Sequence, residues 1–312
     1  MKNKQLKILS VNISEKKGTI KHPVDAINMT NLGVSDDAHA GDWNRQVSLL
    51  GMESIRKFEL EAGRKIKPGE FAENITTEGA NLWEMHPLDR FSCGETEMEV
   101  TQIGKECHGT SCAIFKEVGN CVMPKEGIFC RVIRPGRIKP GDVLQYHPKV
   151  FSVRIITLSD RASRGEYEDR SGPRIKELVE EFFKIHSSFF IFHSSLIPDD
   201  PDQLRNLLTE AARKQTDIII TTGGTGIGPK DFTPDVVRPF LDKEIPGIME
   251  MIRIKYGAEK RNALASRSIA GVMKQSLVFT LPGSVKAVNE YLAEILPSLN
   301  HLIMMLHGID RH

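Results

Sequence analysis

The sequence contains no stretch approaching the roughly 20 apolar residues of a membrane-spanning helix. Its first residues, MKNKQLKILSVNISEKKG, carry basic side chains but no apolar run of the length a secretory leader uses. Both absences make a cytoplasmic location the default expectation. Net charge is nearly absent too, with 42 Lys and Arg against 41 Asp and Glu, a formal +1. No whole-molecule field then exists to gather nucleic acid or an anionic membrane, so an anionic ligand must be held by local groups. Cysteine is missing from the second half. Its five copies are Cys93, Cys107, Cys112, Cys121 and Cys130, an odd number. In a chain expected to be cytosolic, that argues against a disulfide framework. A reactive thiol, a metal ligand and a small buried apolar residue remain open. Internal repeats and low-complexity tracts are also lacking.

What is present divides in two. At about 100–200 residues per domain, 312 residues suggest two domains, each long enough to bury a core. The first half has short apolar runs, LKILSVNIS, QVSLLG, FAENITTEG, EMEVTQIG, IFCRVIRPG and RIKPGDVLQY. Turn pairs such as Pro68-Gly69, Pro135-Gly136 and Pro140-Gly141 separate them, a pattern that predicts a β-rich, barrel-like domain. One helix is expected over Met52–Ala62, where Ile55, Phe58 and Ala62 share a face.

The second half alternates. Strands are expected at Val153–Leu158, Phe189–Ile197, Asp217–Thr222 and Leu277–Leu281. Helices are expected at Gly172–Phe183, at Asp200–Lys214, from Thr233, from Ile245, and from Ser284 to about Leu306. The run DIIITT has a continuous apolar centre with no alternation, as in a strand buried on both faces. Alternation of this kind predicts an α/β, doubly wound, mainly parallel sheet. The junction falls at Tyr146–Phe151, giving domains 1–148 and 149–312.

In open α/β sheets ligands bind beyond the carboxyl ends of the strands. Three polar segments are expected to meet there: LSDRASRGEYEDRSGP (Leu158–Pro173), TTGGTGIGPKDFTPD (Thr221–Asp235) and LPGS (Leu281–Ser284). In the middle one, Gly223, Gly224 and Gly226 allow close backbone approach, and successive N–H groups make a nest for phosphate. Thr233 reads as a helix N-cap with Pro234 at the first helical position. Asp231 beside a phosphate nest calls for a bridging cation, and Mg²⁺ held by one or two carboxylates plus phosphate oxygens is the usual arrangement. Asp199, in LIPDD, is the natural second carboxylate. Each segment alone reads as structural sooner than catalytic, with Asp199 a helix cap and Asp231 a turn residue. The convergence of three glycine-bearing loops favours a phosphate site.

These residues resemble a known family. SDRAS with GEYEDRSGP, TTGGTG with KDFTPD, IPG at Ile245–Gly247, SRSIAG at Ser266–Gly271, and LPGS followed by KAV are similar to molybdopterin adenylyltransferases over about residues 151–306. The resemblance implies Mg²⁺-dependent transfer of AMP from ATP to molybdopterin, a doubly wound fold and a homotrimer. By position it implies that Asp199 and Asp231 are the two functional, metal-holding aspartates. It assigns Thr222, Gly223, Gly224, Thr225 and Gly226 to the phosphate loop, and Ser159, Asp160, Pro282, Gly283 and Ser284 to the rest of the pocket. Some members carry two basic residues in the segment IGPK; here only Lys230 is basic. No Ser-His-Asp constellation suggests a side-chain nucleophile.

In the first half, GDWNRQVSLL, PGEFAENITTEG, VTQIGKECHG and GIFCRVIRPGRIKPGDVL resemble the MOSC domain, related to the C-terminal part of molybdenum cofactor sulfurases. The resemblance implies that Cys107 carries sulfur or binds molybdenum cofactor. A thiolate is the reactive form, and Lys105 and His108 are placed to favour it. Zinc held by Cys107, His108, Cys112 and Cys121 is the second reading, and a buried structural thiol the third. Cys130, inside IFCRV, and Cys93 read as ordinary buried residues. Three functions compete for the whole chain. The first is a two-domain enzyme of molybdenum cofactor biosynthesis, with cofactor-insertion or molybdoenzyme partners. The second is a non-catalytic carrier of molybdopterin, which would not need both aspartates. The third is a metal or sulfur delivery module with a degenerate second domain, against which the intact TTGGTG and LPGS weigh.

Overall fold

The computed structural model describes residues 4–106 and 121–309. The chain separates into two compact units, Met1–Lys149 and Val150–His312.

The strands of the first unit are β1 (Gln5–Ile13), β2 (His22–Val24), β3 (Ile27–Thr30), β4 (Gly33–Val34), β5 (Val47–Gly51), β6 (Ile75–Glu78), β7 (Arg90–Cys93), β8 (Thr96–Ile103), β9 (Ile128–Arg134), β10 (Gly136–Ile138) and β11 (Val143–His147). Seven of them run in the order β11-β7-β8-β9-β5-β6-β1. The ring closes where Leu6 of β1 pairs with Leu144 of β11. Closure leaves no unpaired edge, and the expected β-rich barrel is what forms. Its interior takes the alternate apolar positions of the sequence runs, among them Leu6, Ile8, Leu49, Ile75, Phe91, Val100 and Leu144, all fully buried. Helix α1 spans Met52–Ala62 as the spacing predicts and buries Ile55 and Phe58, but Ala62, expected on the same face, is exposed in the last turn. It stops at Gly63, whose φ of +66° suits a residue without Cβ and lets its N–H reach the Glu59 carbonyl at 3.0 Å. A short α2 (Met123–Glu126) precedes β9.

The second unit contains β12 (Val150–Leu158), α3 (Asp160–Ser163), α4 (Ser171–Ile185), β13 (Phe189–Ile197), α5 (Pro201–Arg213), β14 (Ile218–Thr222), α6 (Thr233–Val237), β15 (Lys243–Glu244), α7 (Pro246–Glu259), β16 (Ala270–Met273), β17 (Ser276–Leu281) and α8 (Val285–Leu306). The sheet order is β13-β12-β14-β17-β16-β15. The first four strands are parallel, as the alternation predicts. The last two are antiparallel, and the sequence pattern did not disclose them. The reason is length: β16 is a four-residue arm of a tight hairpin with β17, turning at Lys274 with φ +55°. That is too short to show a period. All five residues of β14 are buried, which is why the run IIITT is apolar or capped by small hydroxyls.

Candidate functional site

Register brings the loops together. Ile197 pairs with Leu158, Thr157 with Thr222, and Thr222 with Leu281. Four strands therefore end at one level, and the segments that follow start side by side. Between them lies a cavity of about 560 Å³. Its walls include Ser159, Asp199, Gly223, Gly224, Thr225, Gly226, Asp231, Pro282, Gly283 and Ser284. Two other expected residues stand behind the wall. Thr222 donates its hydroxyl to the Pro282 carbonyl at 2.9 Å, tying the second loop to the third. Asp160 pairs with the Lys230 ammonium, and Lys230 itself lines the cavity. That ammonium, and then the Asp199 amide, hold the Asp160 carboxyl below the usual carboxylate range.

The glycine loop is built by contacts that no side chain would permit. Gly223 has φ +105°, and a Cβ there would lie 2.3 Å from the Leu158 carbonyl oxygen. A Cβ on Gly226 would lie 2.7 Å from Asp231 Oδ2. The loop closes on itself where the Gly228 amide donates to Asp231 Oδ2 at 2.8 Å. Thr233 is not the expected N-cap. It is the first residue of α6, capped by Phe232 without a side-chain bond. Its hydroxyl instead donates to the Gly223 carbonyl at 2.9 Å, because the loop folds back over the helix start. Asp199 is not a helix cap either. Asp200 caps α5, accepting from the Asp202 and Gln203 amides at 2.8 and 3.2 Å. Ser159 and Ser284 do cap helices, accepting from the Ala162 and Ala287 amides at 3.1 and 3.2 Å.

Asp199 and Asp231 thus face one cavity, and each gives one carboxylate oxygen to a backbone amide. No cluster of three or more His, Cys, Asp or Glu side chains poised for a metal occurs among the described residues. Two hard oxygen donors beside a glycine-rich loop are a donor set that could hold a Mg²⁺ ion.

The far wall went unanticipated. It comprises Tyr256, Lys260, Asn262 and Ser266, with Lys286, Glu290 and Tyr291 from the start of α8. Lys260 pairs with Glu290, and the Tyr291 hydroxyl donates to Ser266 Oγ at 2.9 Å. Only the i, i+4 spacing of Lys286 and Glu290 hinted that the two share a helix face. Tyr167, Asp169 and Ser171 also line the cavity, and these sit inside GEYEDRSGP.

In the first unit, Cys107, His108 and Cys112 lie outside the described residues. Cys130 is fully buried in β9, and burial pushes its thiol far above its usual range, with the Glu99 charge adding to the effect. Cys93 is half-buried and raised by burial and then by Asp142. Neither is a reactive thiolate. A cavity of about 330 Å³ is walled by Lys17, His39, Trp43, Arg45 and Lys105, with no acidic residue among the described residues of its lining. The Lys17 ammonium and the Arg45 guanidinium lie 5.5 and 5.1 Å from the Trp43 ring centroid.

Residues 154–301 match the family described as a probable molybdopterin binding domain, and residues 36–145 match the MOSC domain. A molybdopterin adenylyltransferase of Helicobacter pylori is 32% identical over 161 residues, covering 51% of this chain and 90% of that protein. One from Pyrococcus furiosus is 36% identical over 161 residues, covering 50% and 91%. Gephyrin of Dictyostelium discoideum is 35% identical over 162 residues, 50% of this chain, which spans only 22% of that larger relative.

Proposed function

Through its second unit the chain belongs to the molybdopterin adenylyltransferase family, and on that footing we propose that it transfers AMP from ATP to molybdopterin with Mg²⁺. The observation that carries this reading is the placement of Asp199 and Asp231 on one cavity beside the Gly223–Gly226 nest. In the reaction, a phosphate oxygen of molybdopterin attacks the α-phosphorus of ATP. The new P–O bond forms as the bond to the bridging oxygen breaks, and pyrophosphate leaves with that electron pair. The backbone N–H groups of the loop bind phosphate oxygens, and Lys230 brings an ammonium to the same anions. Asp199 and Asp231 would hold the Mg²⁺, which neutralises the triphosphate and the leaving group. Positioning and charge neutralisation supply the rate, with no side-chain nucleophile.

The MOSC unit binds or hands on molybdenum cofactor or sulfur, with Cys107 as the handling thiol. The cationic side chains of the cavity around Trp43 support an anionic ligand there. The proposed assembly is a homotrimer working in the cytoplasm and serving a cofactor-insertion or molybdoenzyme partner; light scattering that shows a concentration-independent monomer would overturn it. A non-catalytic carrier is the competing account. Purified protein incubated with molybdopterin, ATP and Mg²⁺ decides between them: adenylyl-molybdopterin and pyrophosphate are the expected products, and bound but unchanged molybdopterin would establish the carrier.

A further inference from the structure

Arg267 does not itself line the main cavity, yet it holds the loop that forms one wall. Its backbone amide donates to the Thr225 carbonyl at 2.8 Å, and its Nε to the Gly226 carbonyl at 2.7 Å. One terminal nitrogen donates to the Asp231 carbonyl, while the other bonds both Asp235 carboxylate oxygens at 2.9 Å. A single guanidinium therefore joins the start of the loop, its closing aspartate and the first turn of α6. The planar fork of arginine presents five donors in fixed directions, and three separate acceptors surround it here. A lysine ammonium in that place would reach one or two of them.

The loop needs such a brace. Between Gly226 and Asp231 its own closure is two bonds, from the Gly228 amide to Asp231 Oδ2 at 2.8 Å and from the Asp231 amide to the Gly228 carbonyl at 3.0 Å. The Lys230–Asp160 pair is a second tie, but the Lys230 side chain is 72% exposed. Because Gly226 sits against the Asp231 carboxylate, a shift of either carbonyl that Arg267 holds shifts that carboxylate too. From the opposite side, Arg267 borders a smaller cavity of about 240 Å³ shared with Arg238, Glu244 and Arg253.

We propose that Arg267 is a positioning residue that sets the Asp231 carboxylate and the Thr225–Gly226 backbone for phosphate and metal binding. The proposal rests on the adenylyltransferase reading for its kinetic consequence, but not for its structural one. Arg267→Lys and Arg267→Ala are made in the full chain. Adenylyl transfer is measured over a Mg²⁺ series, and amide hydrogen exchange is followed at Gly228. Arg267→Lys keeps the charge and the melting temperature. Its kcat is expected to fall about 100-fold, the scale of a misplaced catalytic group. The KM for molybdopterin stays near wild type, half-saturation moves to higher Mg²⁺, and the Gly228 amide loses protection. Guanidinium ion at non-denaturing concentration, entering through the smaller cavity, restores part of the Arg267→Ala rate. Wild-type kinetics in Arg267→Lys would overturn the proposal, as would a lowered rate with unchanged Gly228 exchange. If the wild-type chain forms no adenylyl-molybdopterin, the enzymatic reading fails, and Gly228 exchange still decides the role of Arg267.

Discussion

Asp160 and Asp199 hold each other across two neighbouring strand ends. The Asp199 amide donates to Asp160 Oδ1 at 3.0 Å, and the Asp160 amide donates to Asp199 Oδ2 at 3.1 Å. Two carboxylates are thereby placed close together, each stabilised by the other's backbone, with Lys230 supplying the positive charge. Asp160 is spent on this arrangement, so that Asp199 is the carboxylate presented to the cavity.

Asp199→Asn and Asp231→Asn keep an oxygen to accept the Asp160 and Gly228 amides but remove the charge. Each is expected to lower adenylyl transfer by about 100- to 1,000-fold, as loss of one transition-state electrostatic contact does. Melting temperature and molybdopterin binding should stay near wild type, measured by calorimetry and by titration of the pterin. Unfolding of both variants would make the residues structural, and normal turnover would favour the carrier.

Gly223→Ala tests the loop's backbone. The position combines φ +105° with a would-be Cβ contact of 2.3 Å to the Leu158 carbonyl oxygen. Strain in such a region costs about 1–3 kcal/mol before any clash. The variant should melt earlier and bind molybdopterin poorly, whereas Gly247→Ala, where a Cβ meets nothing within 4 Å, should leave pterin binding unchanged. Equal binding by both variants would show that the loop adapts.

Lys21 and Asp37 form an ion pair inside the first unit, with side chains 1% and 0% exposed. Burial pushes the Lys21 ammonium below its usual range, only partly offset by Asp37. Burial pushes the Asp37 carboxyl up, but hydrogen bonds from His39 and Lys21 outweigh it and hold the group well below the carboxylate range. Lys21→Met removes the ammonium that pairs with that buried charge and is expected to cost about 3–5 kcal/mol. Both tryptophans, Trp43 and Trp83, lie in this unit, so their fluorescence in a urea titration reports it selectively. An unshifted midpoint would mean that the Ser14 and His39 amides, each 3.0 Å from Asp37, suffice.

Cys107→Ser should leave adenylyl transfer intact and remove sulfur or cofactor retention by the MOSC unit, read by mass spectrometry of the protein after loading. Stoichiometric zinc in fresh wild-type protein, lost in the variant, would assign the thiol to a metal site instead.

The sequence by itself determined those features whose cause is local. Helix α1 follows from the spacing of Ile55 and Phe58 and stops at Gly63. Strand β14 follows from an unbroken apolar run, and the glycine loop from residues that alone tolerate its backbone. Motif resemblance then supplied ten residues of the cavity wall, because loops that cradle phosphate carry their chemistry in consecutive positions. Tertiary structure decided the rest. Closure of the barrel pairs Leu6 with Leu144, and the Lys260–Glu290 wall joins segments 30 residues apart. The Asp160–Asp199 exchange spans 39 residues, and the Arg267 brace reaches back 41 to Gly226. Thr233, which reads locally as a cap, spends its hydroxyl on Gly223. Periodicity encodes which face of an element is buried, but partners across the sheet are set by strand register, which leaves no mark on the residues nearby.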